Sequence, residues 1–202
     1  MIENNYIFPT SIGITKVPYI LSQEELSFIL SIEMKRSDAM ININSKSESV
    51  LDNKELSELK KYLSESVNQY FLENYRPTQP LSLEITTSWT NITNLSESQL
   101  PHFHRDSVIS GVFYVQTNDE LDRITFFTPS RTIYRFNVDE YNLVNSDTWW
   151  IPAKTGHLVM FPAYLEHGVL KKDHPGSRIS LAFDTKLEGN IGDSHARVAL
   201  KF

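Results

Sequence analysis

The chain has 202 residues, 40% of them hydrophobic and 11% aromatic, enough for one compact domain with a sizeable core. A net charge of −6 and a pI of about 5.5 provide no basic footprint for nucleic acid, and a mild negative balance serves solubility. There is no cysteine, which excludes a disulfide framework, a thiolate metal site and a thiol nucleophile, so any metal must be held by histidines and carboxylates.

The N-terminal stretch MIENNYIFPTSIGITKVPYI has no basic segment followed by an apolar run, so no signal peptide is expected. No window approaches the roughly 18 apolar residues that span a membrane. The expectation is a soluble cytoplasmic protein.

Residues 1–80 read as a helical region packed on a β-rich core formed by residues 81–202. Ser22, Gln23, Glu24 and Glu25 form a capping-box pattern, and the apolar Leu26, Phe28, Ile29, Leu30 and Ile32 come directly after it. A second helix is expected from Asp52, with Leu56, Leu59, Leu63, Val67, Tyr70 and Phe71 at helical spacing. Pro77 and Pro80 end it. The polar stretch from Ile41 to Val50 reads as a loop.

From Leu81 the period changes to two. Leu81, Leu83, Ile85, Thr87, Trp89 and Asn91 alternate with Ser82, Glu84, Thr86, Ser88 and Thr90, the pattern of a half-buried strand. Further strands are expected at Val108–Val115, Ile124–Phe127, Thr132–Phe136, Trp149–Ile151, Leu158–Phe161 and Ile179–Phe183. Such a series predicts a mainly β fold with N-terminal helices. Its core, residues 81–202, would be a double-stranded β-helix, the cupin-like jelly roll of about eight strands.

Within that core the chemistry-bearing residues are spaced in a pattern. His104-Arg105-Asp106 is succeeded much later by His167, and then by Arg178-Ile179-Ser180. Two imidazoles and a carboxylate can hold a non-haem Fe(II) on one face and leave positions open. Residues i and i+2 of an extended segment point the same way, so His104 and Asp106 can reach one metal. On the same parity lie Val108, Ser110, Val112 and Tyr114. Arg178, Ser180 and Ala182 share one strand face, while Ile179, Leu181 and Phe183 take the other. A guanidinium pointing into a barrel is costly unless it meets an anion, and its planar fork matches a carboxylate, with Ser180 adding a further bond. Trp89 and Asn91 share a face on the strand before the metal loop. Packing alone would also account for Trp89, and a buried Tyr114 hydroxyl needs a partner in any case.

These motifs resemble the Fe(II)/2-oxoglutarate-dependent oxygenase superfamily, whose pattern is His-x-Asp, a distal His and an Arg about one strand later. HRDSVISGVFYV is similar to the equivalent segment of isopenicillin-N-synthase-like members. Most of the chain resembles a family of small 2-oxoglutarate/Fe(II) oxygenases from phage and marine bacterial genomes. The resemblance is carried by Phe8-Pro9, Ser88-Trp89-Thr90-Asn91, PHFHRDSVISGVFYV, GHLVMFPAYLEHGV and RISLAF. It implies Fe(II) and 2-oxoglutarate as cofactor and co-substrate, with ascorbate assisting. It also implies a dioxygenase that hydroxylates an unactivated C–H of a small molecule, amino acid or peptide side chain and releases succinate and CO2.

The resemblance assigns His104, Asp106 and His167 to the metal, with His104, Asp106, His167 and Arg178 as the catalytic set. Arg178, Ser180, Tyr114, Asn91 and Trp89 would bind 2-oxoglutarate. Relatives in the small family show His-x-His where this chain has His102-Phe103-His104, so a second ligand set, His102, His104 and His167, stands beside the first. The carboxylate set is preferred here because a carboxylate facilitates Fe(II) binding, and its retention at Asp106 favours hydroxylation over halogenation. The substrate would be a small molecule or peptide, contacted by the segment 128–155. An apolar helix face offers a homodimer surface, and a phage-encoded chain would work in the host cytoplasm.

Plainer readings attach to the other polar residues: loop or packing for His157, solvated positions for His174, His195 and Lys171-Lys172, and core for Trp149-Trp150. Two rival functions remain. A cupin-like metal- or ligand-binding protein without turnover has no need of Arg178 and Ser180. A structural jelly roll leaves the interior His, Asp and Arg set unexplained.

Overall fold

In the computed structural model, residues 3–37, 41–128, 136–192 and 198–201 are described. The first helix, α1 (Gln23–Ser31), is started by its own side chains. Ser22 Oγ accepts from the Glu25 N–H at 3.1 Å, and Glu25 returns a carboxylate oxygen to the Ser22 N–H at 2.7 Å. The second helix, α2 (Ser57–Tyr75), ends in a left-handed Arg76 whose N–H reaches the Leu72 carbonyl, and Pro77 prevents its continuation. Its buried stripe is Leu59, Leu63, Val67, Tyr70 and Phe71. Burial of each aliphatic side chain stabilises the fold by roughly 1.5–3 kcal/mol.

The strands in chain order are β1 (Gly13–Ile14), β2 (Met34–Ser37), β3 (Asn42–Ser45), β4 (Leu81–Thr93), β5 (Gln99–His102) and β6 (Ile109–Gln116). They continue as β7 (Arg123–Phe127), β8 (Thr148–Pro152), β9 (Leu158–Pro162), β10 (His167–Val169), β11 (Arg178–Ile191) and β12 (Val198–Leu200). The major sheet runs β1-β9-β6-β11-β4-β3-β2, with β12 beside β11, and the minor sheet runs β5-β10-β7-β8. Every pairing between these strands is antiparallel.

Alternation along the central strands produces two separate cores. Ile109, Phe113 and Val115 of β6, with Ile179, Leu181 and Phe183 of β11, face the helices. Val112 and Tyr114 of β6 and Ala182 of β11 face the other way, onto Ile124 and Phe126 of the minor sheet. The two sheets therefore enclose an interior between them, and the helices cover the outside of the major sheet, giving the expected jelly roll.

Several local expectations differ from the structure. Part of the stretch 41–50 is strand rather than loop: β3 pairs with both β2 and β4, placing polar Asn42 and Asn44 in the major sheet. Beyond the end of β3, the β4 backbone is met by Asn68 of α2, which exchanges two side-chain hydrogen bonds with the Leu83 N–H and carbonyl. Trp149 and Trp150 are 41% and 53% exposed, not core, because β8 is the outermost strand of the minor sheet. Arg123 lies over the Trp150 ring. Lys172 is buried and His174 half-buried instead of solvated. Lys172 Nζ donates to the His174 carbonyl and stands 3.8 Å from buried Asp122, which also takes His174 Nε2 at 3.1 Å. The strand expected over Thr132–Phe136 and the placement of His195 fall on residues outside the described ones, apart from Phe136 itself.

Gly111 lies opposite Phe183 in the β6–β11 pair, and a Cβ there would come within 2.2 Å of the Phe183 ring. Gly111→Ala should therefore lower unfolding stability by about 1–3 kcal/mol through overpacking, measured by denaturant titration. An unchanged midpoint would mean that the ring has free room to move.

Candidate active site

The two sheets converge on three histidines. His102 ends β5 and is the register partner of His167, which opens β10. His104 lies two residues beyond His102 on the same extended run, and its N–H donates to the Ala163 carbonyl at 2.9 Å. One ligand atom from each of His102, His104 and His167 lies within 4.8 Å of the others.

Each ring is tethered through Nδ1. His102 Nδ1 donates to the Leu100 carbonyl at 2.7 Å and His167 Nδ1 to the Leu165 carbonyl at 2.9 Å. His104 Nδ1 donates to both Asp184 carboxylate oxygens, at 2.7 and 2.8 Å. A carbonyl or carboxylate can only accept, so each tether fixes the Nδ1–H tautomer and leaves the Nε2 lone pair for a metal. Burial pushes the His167 pKa down to about 3, with the neighbouring His102 opposing its charge as well, and burial also lowers that of His102. Both imidazoles are neutral at pH 7, the form that binds a metal.

Asp106 stands apart from this group. It is exposed and in a left-handed turn, with φ of 61°. The chain crosses there from β5 in the minor sheet to β6 in the major sheet, so the i, i+2 rule links His102 with His104 and is interrupted before Asp106. The same turn breaks the parity expected for Val108, which packs on the helix side with Ile109. Ser110, Val112 and Tyr114 keep the interior face.

Beside the histidines the inner faces of β4, β6 and β11 bring together Trp89, Asn91, Ser110, Arg178 and Ser180 around one cavity, with Tyr114 beneath the Arg178 guanidinium. The register places Ser180 against both Asn91 and Tyr114. Arg178 is 3% exposed, and among the described residues no carboxylate pairs with it. Arg178 Nε, the Tyr114 hydroxyl and Asn91 Oδ1 are all buried without a hydrogen-bond partner. Burial raises the Tyr114 pKa, against the pull of Arg178, so the phenol stays protonated and able to donate. A buried cation whose Nε, with the Tyr114 hydroxyl beside it, is an orphaned donor is unfavourable unless an anion fills the space; Asn91 Oδ1 is an acceptor and awaits a donor instead. The donor set therefore fits a carboxylate beside a metal held by imidazoles. Trp89 lies beside the three histidines, its ring centroid 5.5 Å from that of His104 and tilted by 41° to it.

Asp184 and Ser110 join the site without being singled out by sequence reasoning. Ser110 Oγ donates to Asp184 Oδ1 at 2.6 Å. The sequence does carry a signal for Asp184, since it continues the alternation Arg178, Ser180, Ala182. His157 is tied away from the site, with Nδ1 donating to the Thr15 carbonyl.

Residues 87–184 match the family model described as "Putative 2OG-Fe(II) oxygenase". No curated protein sequence matches the chain. Among solved structures, an oxidoreductase of the 2OG-Fe(II) oxygenase family from Burkholderia pseudomallei is similar, with TM-score 0.57 and 9% identity over 79% of this chain and 75% of that one. HygX from Streptomyces hygroscopicus, with nickel and 2-oxoglutarate bound, has TM-score 0.57 and 11% identity over 87% and 82%. A prolyl-4-hydroxylase from Pseudomonas putida has TM-score 0.53 and 12% identity over 88% and 92%.

The low His167 pKa has a consequence for the metal-free protein. Unfolded histidine titrates near 6.5, well above the folded value of about 3, so the unfolded state binds the extra proton in between. Stability from neutral His167 is full above pH about 6.5 and is lost as pH falls toward 3. Chelator-treated protein should show this slope in thermal melts, and His167→Gln should be flatter across that window. Parallel slopes would contradict it. No helix of the described residues is long and apolar enough to cross a membrane. Residues 87–184 thus match the 2OG-Fe(II) oxygenase family model, and the chain shares its jelly roll with solved structures of Fe(II)- and 2-oxoglutarate-dependent oxygenases.

Proposed function

We propose that the chain hydroxylates an unactivated C–H bond of a polar small molecule, amino acid or peptide side chain, with His102, His104 and His167 as the metal ligands. The observation that carries this reading is the juxtaposition of three converging imidazoles with a buried, unpaired Arg178. When bound, Fe(II) with 2-oxoglutarate and O2 supplies the oxidation, and succinate and CO2 leave.

The chain's own residues then have separable tasks. Arg178 grips the distal carboxylate of 2-oxoglutarate in two-point fashion, and Ser180, Tyr114 and Asn91 provide further hydrogen bonds. Trp89 and the Val112, Ile124 and Ala182 side chains wall the site against water. Of the two ligand sets legible in the sequence, the all-histidine one is preferred because Asp106 projects from an exposed turn.

Substrate reaches the same histidines from an adjoining open groove of about 390 Å³. Its walls include Lys35, Asn44, Glu48, Thr87, Trp89 and Arg105. Asn44 Oδ1 is buried there without a partner, an acceptor for a substrate amine, amide or hydroxyl. Charged walls of both signs favour a polar, ionised substrate over a hydrocarbon.

Purified protein with Fe(II), ascorbate and 2-oxoglutarate should form succinate, and more so with an accepted substrate. Iron binding with no succinate under any condition would favour a metal-binding protein without turnover. His102→Ala should abolish Fe(II) binding, whereas Asp106→Ala should retain it; the reverse order would restore the carboxylate set. Arg178→Lys, which keeps the charge and loses the fork, should raise the half-saturating 2-oxoglutarate concentration by about tenfold or more, equivalent to roughly 1.4 kcal/mol. An unchanged value would remove Arg178 from co-substrate binding.

A further inference from the structure

Three neutral imidazoles leave a divalent metal with its full double charge, whereas a set of two histidines and one carboxylate removes one unit. In this chain the carboxylate stands one bond further out. Asp184 takes the His104 Nδ1–H on both oxygens, at 2.7 and 2.8 Å, and a third hydrogen bond from Ser110 at 2.6 Å. Its side chain is 17% exposed, and among the described residues it has no ion-pair partner other than His104. The other two histidines are tethered only to backbone carbonyls, so the arrangement is asymmetric.

We infer that Asp184 is a positioning residue that delivers to the metal, through the His104 ring, the negative charge a directly bound carboxylate would otherwise bring. A carboxylate accepting Nδ1–H fixes the ring's orientation as a carbonyl does, and its full negative charge adds to the rise in Nε2 basicity. Ser110 restrains Asp184 in turn, because its hydroxyl holds one of the two oxygens. The sheet dictates this placement: Asp184 pairs with Ser110 in the β6–β11 register, next to the crossing that carries His104. This inference rests on the three-histidine ligand set proposed above.

The test separates charge from orientation. Asp184→Asn keeps an acceptor oxygen of the same reach and removes the charge, while Asp184→Ala removes both. Anaerobic Fe(II) titration of the full chain should show affinity weakened about 10–100-fold in Asp184→Asn. In the Fe(II)–2-oxoglutarate complex, the visible metal-to-ligand charge-transfer band should move to higher energy, because the metal is less electron-rich. Asp106→Ala should match the unaltered chain in both measurements. Wild-type affinity and band position in Asp184→Asn would overturn the inference, and loss confined to Asp184→Ala would do the same, leaving orientation alone. Absence of Fe(II) binding by the unaltered chain would instead defeat the three-histidine reading. Thermal melts of the metal-free variants identify any loss that arises from misfolding.

Discussion

The long antiparallel pairing of β4 with β11 is the constraint on which the rest depends. It runs from Arg178 against Thr93 to Gly189 against Leu81, with one irregularity beside Asp184. Side chains alternate across a strand, so this pairing sorts residues by parity on each side of that irregularity, which leaves Thr86 of β4 unpaired and turns Leu83 and Ile85 to the helices but Trp89 and Asn91 to the interior. One face delivers Ile179, Leu181 and Phe183 to the helices. The other delivers Arg178, Ser180 and Asp184, with Trp89 and Asn91 from β4, to the interior. A slip of one residue would bury the polar set among the helix contacts and expose the apolar set to the site, so register and function are specified together.

That alternation is also why much of the molecule can be read from its sequence. Helix α1 is announced by reciprocal capping and α2 by its stripe from Leu59 to Phe71, both local features. The interior positions of Tyr114, Arg178 and Ser180 follow from parity within continuous strand runs, whereas the single alternation read from Leu81 to Asn91 is broken at Thr86, so Leu83 and Ile85 face the helices while Trp89 and Asn91 face the interior. What is not legible depends on partners distant in sequence. β3 carries Asn42 and Asn44 in a short polar run, and only its pairing with β4 makes it a strand. β5 and β10 are brief, and they bring His102 beside His167 through sheet pairing that no local pattern announces. Lys172 and His174 look solvated until Asp122 is placed against them.

Asp106 shows where parity reasoning has its boundary. The rule is sound within one extended run, and it correctly links His102 to His104. It does not carry across a left-handed turn, and Asp106 has φ of 61° at the point where the chain changes sheets. Asp184 shows the opposite error, in which the alternation is broken off too soon. The strand continues past Phe183 to Ile191, and the next residue on the interior face is the carboxylate that holds His104.

Charge balance ties these pieces into one site. Arg178 is a buried cation, and a divalent metal on three neutral imidazoles would add two more positive charges. Asp184 behind His104 would offset one unit. The remaining two would match the two carboxylates of 2-oxoglutarate. Arg178 Nε and the Tyr114 hydroxyl are desolvated donors without a partner, an arrangement that is costly by about 1–3 kcal/mol for a neutral group and more for a charged one. The fold holds that cost because β6 and β11 fix the two side chains from apolar strands packed on the helices. A bound dianion would relieve it, so affinity for 2-oxoglutarate would come in part from unpaired donors already built into the sheet face.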